Sequence, residues 1–356
     1  MKFDCQDSAT GFQKWSFAQN HVLLNKHIFL TGGTGFFGKS ILQWLIDSEE
    51  IVNETFSLTV LSRNPFLFLA SYPQFSLLKN LSFIQGDVRT FDFPKEKFDV
   101  IIHVATPASA TLEQQNPEEM RSIVVDGTRH VLDFAKQCEC KRFLMTSSGA
   151  VYGVQPPELT HIPETFPCNP VTAYGKGKFE AEQMCIEVGE KQGFAALLLR
   201  CFAFVGPYLP LDEHFAIGNF MSDCLHNRPI IINGDGTPLR SYLYATDLVE
   251  WLWTILLRGE HGKAYNVGSD DAISISDLAH LVRQCAGTDN EIIVKGEKIE
   301  GALPARYVPS VDRAKKELGL SQHVALVDAI RRTIEYQYGL KHKLLHHEEH
   351  EVGKGE

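Results

Sequence analysis

Leu30-Thr31-Gly32-Gly33-Thr34-Gly35-Phe36-Phe37-Gly38 separates two segments of different period. Before it, His27-Ile28-Phe29-Leu30 is short, apolar and partly β-branched, the texture of a buried strand. After it, apolar residues at 41, 42, 45 and 46 recur at helical spacing. The glycines therefore occupy a strand-to-helix turn. Gly32 can take a tight turn that a Cβ obstructs. Gly35 lets the backbone approach a pyrophosphate, and Gly38 lets the helix pack close to the strand. The free N–H groups and dipole at the helix start favour phosphate charge. In this context Gly32, Thr34, Gly35, Phe36, Phe37 and Gly38 form the candidate floor of a dinucleotide site.

Downstream, strands and helices alternate. Leu58–Leu61 reads as a second strand, ending in Ser62-Arg63. An NAD site usually has a carboxylate there for the adenosine ribose. Ser62 cannot accept in that way, and the Arg63 guanidinium suits a 2′-phosphate, so the sequence leans towards NADP. Leu81–Val88 reads as a third strand ending in Gly-Asp-Val, with Asp87 placed for an adenine amino group and Val88 beside it. Phe98–Ala105 is a near-continuous apolar run, as in a parallel strand covered on both faces. Its end, with Ala105, is small enough for a cofactor to lie close, while His103 reads as a structural histidine. Residues 117–137 read as a long helix, 142–148 as a fifth strand, 172–193 as a second long helix and 195–200 as a sixth strand. That alternation implies an α/β fold: a Rossmann-type, doubly wound parallel sheet with its ligand edge at the strand C-termini.

The chain has 356 residues, 44% of them hydrophobic, enough for a large core and a second lobe. Residues 1–26 read as a lead-in with a short helix near 12–17, and 27–200 as the NAD(P)-binding domain. Residues 201–340 read as a smaller α/β substrate lobe interleaved with that domain, and 341–356 as a flexible tail rich in His, Glu and Lys. A net charge of −10 without a basic stripe argues against nucleic acid. No signal pattern or apolar run of membrane-spanning length is evident, so the expectation is a cytoplasmic protein without a membrane partner. The eight cysteines are scattered and read as ordinary thiols; no metal site is expected.

Tyr174-Gly175-Lys176-Gly177-Lys178 carries the second strong signal. Tyr174 and Lys178 are four apart and share a face near a helix start. Ser148 ends the fifth strand on the same sheet edge. Hydride transfer from a secondary alcohol needs a base for the hydroxyl proton. A free tyrosine, with a pKa of about 10, is a poor one. A neighbouring Lys⁺ favours the phenolate, and Ser148 can hold the substrate oxygen. Ser148, Tyr174 and Lys178 are thus the candidate catalytic set, with Tyr174 and Lys178 also against the nicotinamide ribose. Arg240 is the candidate diphosphate clamp, and Asn219 a second substrate contact.

These motifs, together with Gly86-Asp87-Val88, Ser147-Ser148-Gly149-Ala150-Val151-Tyr152-Gly153 and Arg240-Ser241-Tyr242 with Asp247, resemble the extended short-chain dehydrogenase/reductases, in the nucleotide-sugar epimerase/dehydratase group similar to UDP-glucose 4-epimerase. The resemblance spans about residues 27 to 340. It implies a nicotinamide cofactor, a nucleoside-diphosphate sugar, oxidation at sugar C4, and a homodimer through the helices at 117–137 and 172–193. Dehydratases of that group carry Asp-Glu after the strand-end Ser/Thr, and decarboxylases a nearby Glu. Here Gly149 and Ala150 stand there, and neither moves a proton. Ala203 and Val124 replace asparagines common in the family. The sequence thus reads as an epimerase acting through C4 oxidation, with an NADPH-dependent 4-keto-sugar reductase as the alternative. A 4,6-dehydratase or decarboxylase, or a non-catalytic nucleotide-sensing relative, fits less well.

Overall fold

A computed structural model describes residues 25–48, 56–106, 110–211 and 215–352. The short helix expected near 12–17 lies outside them. The first half alternates as its sequence pattern requires. β1 (Lys26–Thr31), α1 (Phe36–Asp47), β2 (Phe56–Ser62), α2 (Pro65–Ser71), β3 (Leu81–Gln85) and β4 (Val100–His103) come first. α3 (Ala110–Gln115), α4 (Pro117–Gln137), β5 (Arg142–Ser148), α5 (Ala173–Gln192) and β6 (Ala195–Cys201) follow. The long helices have readable ends. Asn116 and Thr172 cap α4 and α5 through their side chains. Gly193 then stops α5 in the left-handed region, at φ +75°.

The second half contains β7 (Phe204–Val205), α6 (Ala216–Leu225), β8 (Ile230–Ile232), β9 (Leu239–Arg240), β10 (Leu243–Tyr244), α7 (Ala245–Arg258) and β11 (Ala264–Val267). It continues with β12 (Ile273–Ser274), α8 (Ile275–Ala286), β13 (Ile292–Val294), β14 (Arg306–Tyr307), α9 (Asp312–Leu318) and α10 (Leu326–Val352). α10 continues past position 341, where the sequence reading begins a flexible tail.

The central sheet is parallel and seven-stranded, in the order β11-β6-β5-β4-β1-β2-β3. Its order reverses between β1 and β4, which opens a crevice at their C-terminal ends. Alternation inside the apolar strands divides the core. Ile28, Leu30, Val60, Ile102 and Leu199 face α1 and α7, where Trp44 meets Trp253. Phe29, Ile101, Phe143, Met145 and Leu198 face α4 and α5, where the Phe29 and Phe134 rings meet edge-on at 4.9 Å. Each buried aromatic contributes several kcal/mol, so truncating Phe134 to alanine would cost about 3–5 kcal/mol.

The smaller lobe packs α6, α8 and α10 around the β8–β13 parallel pair, with Phe220, Met221, Leu278, Val282 and Ile330 in its core. A three-stranded sheet, β12-β9-β14, sits beside it. Several strands also differ from the sequence reading. β11, not recognised as a strand, pairs with β6 in the main sheet. The third strand ends at Gln85 rather than Val88, because Gly86 turns the chain against Phe91. The fourth spans only Val100–His103.

Candidate functional site

The glycine turn meets the sheet at its reversal. Gly32 has φ +72°, and a Cβ on it would lie 2.7 Å from Ala105 N. Only glycine fits both constraints. A Cβ on Gly38 would lie 2.2 Å from Gly33 Cα, so α1 sits directly on the turn. Gly35 is different: it is exposed, its nearest neighbour would be Gly32 O at 3.4 Å, and no side chain caps the helix start. The first N–H groups of α1 are therefore presented beside an open backbone face. This is the cradle a dinucleotide phosphate requires, and the residues present fit it. Phe36 and Phe37 flank the turn, with Phe37 edge-on to Phe204 at 5.0 Å.

Below the turn runs a buried polar chain with one consistent direction. Ala105 N–H donates to Thr31 Oγ1 at 3.3 Å, and the Thr31 hydroxyl to His103 Nδ1 at 2.8 Å. His103 Nε2–H donates to Thr128 Oγ1 at 3.0 Å, and the Thr128 hydroxyl to Val124 O at 2.6 Å. Thr128 has a single proton and gives it to a carbonyl, so His103 must be the neutral Nε2–H tautomer. Burial holds its pKa down at about 3. His103 is structural, as its place in the strand predicts.

Arg63 is exposed just past the end of β2, and its charge helps to hold the Asp87 carboxylate below its usual pKa. The larger cause is Arg89, whose Nε lies 3.0 Å from Asp87 Oδ1 and whose Nη1 lies 2.8 Å from Glu119. Val88 packs against Gly127 of α4.

Ser148, Tyr174 and Lys178 come together at the C-terminal end of β5. Ser148 Oγ accepts from Ala150 N at 3.1 Å and faces the Tyr174 phenol. Burial pushes that phenol above its ordinary pKa, while the Ser148 hydroxyl beside it acts in the opposite sense. Lys178 Nζ lies 5.8 Å from the Tyr174 ring centroid. It donates to Thr106 Oγ1 at 2.7 Å and to Thr146 O at 2.6 Å, and burial lowers its pKa to about 8. One turn further on, Glu182 forms a buried bidentate pair with Arg200, at 3.0 and 2.8 Å, which ties α5 to β6.

Sequence reasoning missed Tyr307. It lies far along the chain with no motif around it, and only strand pairing reveals its place. β14 runs parallel to β9, with Tyr307 opposite Arg240. Its phenol faces Ser148 and is pushed by burial to about 12. The Arg240 guanidinium lies 5.9 Å from its ring centroid. A side chain at position 149 would collide with Tyr307 Oη and Phe202 Cζ, each 2.7 Å from a Cβ there. Arg240, Tyr307, Ser148, Tyr174 and Lys178 are thus neighbours at this edge of the sheet. Asn219 is half-buried on α6 and has no hydrogen bond to this group.

A model of the NAD dependent epimerase/dehydratase family matches residues 28–268. The chain belongs to that family. Within it, UDP-glucuronic acid decarboxylase 1 of Arabidopsis thaliana is 28% identical over 333 residues, covering 92% of this chain and 72% of that protein. The dTDP-D-glucose 4,6-dehydratase of Homo sapiens is 27% identical over 275 residues, covering 75% of this chain and 76% of that protein. Among solved structures, UDP-glucose 4-epimerase of Thermotoga maritima, with UDP-glucose, superposes with a TM-score of 0.76 at 22% identity. UDP-glucuronic acid 4-epimerase of Bacillus cereus, in complex with UDP-glucuronic acid and NAD, gives 0.77 at 21%. Each alignment covers 88% of this chain and 99% of the other. The proteins similar to this chain thus include a decarboxylase and a dehydratase by sequence, and 4-epimerases by fold. No helix among the described residues is long and apolar enough to cross a membrane.

Proposed function

We propose that the chain modifies a nucleoside-diphosphate sugar by oxidation and reduction at C4, as an epimerase. The observation that carries this reading is the Ser148 hydroxyl facing the Tyr174 phenol with Lys178 one turn on, beside a position 149 where a Cβ would lie 2.7 Å from the tips of Tyr307 and Phe202. The dehydratase and decarboxylase chemistries need an acid near there. Epimerisation needs none.

When bound, a nicotinamide dinucleotide supplies the acceptor and donor of hydride. The chain's own residues do the rest. Arg240 pairs with the diphosphate, with Asn219 as a further contact. Ser148 Oγ holds the C4 oxygen. Tyr174, as phenolate, takes the C4 hydroxyl proton and returns it after the 4-keto sugar has rotated. The Lys178 ammonium favours the phenolate and binds the nicotinamide ribose. Gly32, Thr34, Gly35, Phe36, Phe37, Gly38 and Ala105 form the floor under the dinucleotide, and Asp87 with Val88 takes its adenine.

A second reading, an NADPH-dependent reductase of a 4-keto sugar, is favoured by Arg63. Its exposed guanidinium just past the end of β2 suits a 2′-phosphate and supports a preference for NADP. We also propose a division into a cofactor domain, 27–200, and a substrate lobe, 201–340, with homodimerisation through α4 and α5. The test is native mass spectrometry of the purified chain against a panel of nucleotide sugars, joined to turnover assays. Retained cofactor with no net redox change supports the epimerase. Net consumption of NADPH with a 4-keto sugar supports the reductase. Unchanged turnover in Tyr174→Phe would remove the mechanism altogether.

A further inference from the structure

The helix that carries Tyr174 begins with backbone donors that have no partner within it. Its first internal bond runs from Lys176 N to Thr172 O at 2.9 Å. Ahead of that, Gly175 N is taken by the Thr172 side chain at 3.0 Å. The N–H groups of Ala173 and Tyr174 are taken from another element. Glu113, on α3, accepts from Ala173 N through Oε1 at 2.7 Å, and from Tyr174 N through Oε1 at 3.2 Å and Oε2 at 3.0 Å. Both carboxylate oxygens are therefore spent on the backbone of two residues, one of them Tyr174 itself. The same stretch of chain reaches Lys178 as well, through Thr106 Oγ1.

We propose that Glu113 is a positioning residue for Tyr174: its carboxylate fixes the backbone of the Tyr174 turn and stands against the positive end of that helix. This proposal rests on the reading of Tyr174 as the acid and base.

Two consequences separate this from an ordinary cap. The first is geometric. A bidentate carboxylate holds the Tyr174 backbone from the side of the strand-end segment, while Ser148 faces its phenol from β5. The second is electrostatic. The start of a 20-residue helix carries roughly half a positive charge, which would favour the phenolate. Glu113 offsets it, and its charge acts to raise the proton affinity of the phenol. The other groups facing Tyr174 are Tyr307 from β14, Ser148 from β5, Cys201 from β6 and Lys178 from its own helix. Burial pushes Tyr307 and Cys201 to about 12, so both are neutral near neutral pH. Glu113 is then the negative charge among them. The phenol stays protonated until a cationic nicotinamide arrives beside it, so proton removal is coupled to cofactor binding.

The experiment is a tyrosinate ultraviolet titration of the full chain in the presence of NAD⁺ alone, comparing unsubstituted protein, Glu113→Gln and Glu113→Asp. Tyr174→Phe serves to subtract the other tyrosines. Gln keeps an acceptor oxygen and removes the charge; Asp keeps the charge. The expected result is a midpoint lower by about half a pH unit or more in Glu113→Gln. Glu113→Asp should stay near the unsubstituted value. Equal midpoints in all three, with only the melting temperature changed, would overturn the proposal and leave Glu113 as a plain cap. If Glu113→Gln fails to fold, Glu113→Ala is titrated in its place: a midpoint lower by about half a unit or more supports the proposal, and one equal to the unsubstituted value overturns it. Turnover is read separately. A shifted titration with unchanged turnover in Tyr174→Phe refutes the function proposed above, not the role of Glu113.

Discussion

Acidification should unlock the floor of the cofactor site through one residue, His103. The ring is 2% exposed, and its Nδ1 accepts the Thr31 hydroxyl proton, so a second ring proton would break that bond as well as bury a charge. Its pKa is about 3 in the folded chain, against an ordinary value of 6.5. The unfolded chain therefore binds the extra proton over this whole window and the folded chain does not. The stability His103 contributes is fully present above about pH 6.5 and is lost progressively as pH falls towards about 3. Each unit of pH inside the window is worth about 1.4 kcal/mol, so going from about pH 7 to about pH 5 removes about 2 kcal/mol. The assay is urea unfolding at both pH values, for the unsubstituted chain and for His103→Gln. The variant should be less stable near neutrality by about 1–3 kcal/mol, because buried partners lose their bonds. Its further loss on acidification should be smaller than that of the unsubstituted chain by about 2 kcal/mol. Equal acid losses in the two proteins would refute the argument.

Gly32→Ala should lose cofactor retention and destabilise the chain by about 1–3 kcal/mol, since the new Cβ meets Ala105 in a backbone region that alanine avoids; native mass spectrometry and a melting curve read both. Tyr174→Phe should lower turnover by about 10²–10⁴-fold while leaving the bound nucleotide in place, as single-turnover kinetics with the preferred nucleotide sugar would report. Arg63→Asp should move preference from NADP towards NAD, visible as a reversal in the ratio of the two dissociation constants. Arg200→Met strands a buried Glu182 carboxylate and should cost about 3–5 kcal/mol in denaturant unfolding, with partial recovery in the double variant Arg200→Met, Glu182→Leu.

The half of the fold that positions the cofactor was legible because its signals are local. α4 occupies Pro117–Gln137 and β5 Arg142–Ser148, as their periods require. The glycine turn, the strand-end serine and the Tyr174–Lys178 spacing are read in windows of a few residues. What escaped is made by pairing across long separations. β11 and β14 are four and two residues long, and neither has a period to detect. Tyr307 enters the site only because β14 aligns with β9. Glu113 looks like an ordinary helical acid in Ala110–Gln115, and its role depends on donors 60 residues later. α2 was missed because Pro65-Phe66-Leu67-Phe68 lacks an amphipathic stripe. Its Asn64 cap, which accepts from Leu67 N, was the overlooked sign.

The pairing of β11 with β6 also bears on how the chain is made. The first six strands of the sheet are synthesised by Cys201, and the seventh only from Ala264 onwards. For the roughly 63 residues between them, ribosomal speed leaves the far side of β6 bare for about 3–12 s. That edge reads Ala195-Ala196-Leu197-Leu198-Leu199-Arg200-Cys201, a ready template for the wrong neighbour. Arg200, turned inward onto Glu182, is the single charge on the strand. Nascent chains should be most prone to aggregate in this interval, and the double variant Arg200→Met, Glu182→Leu, which restores part of the stability, should still give less soluble protein than the unsubstituted chain.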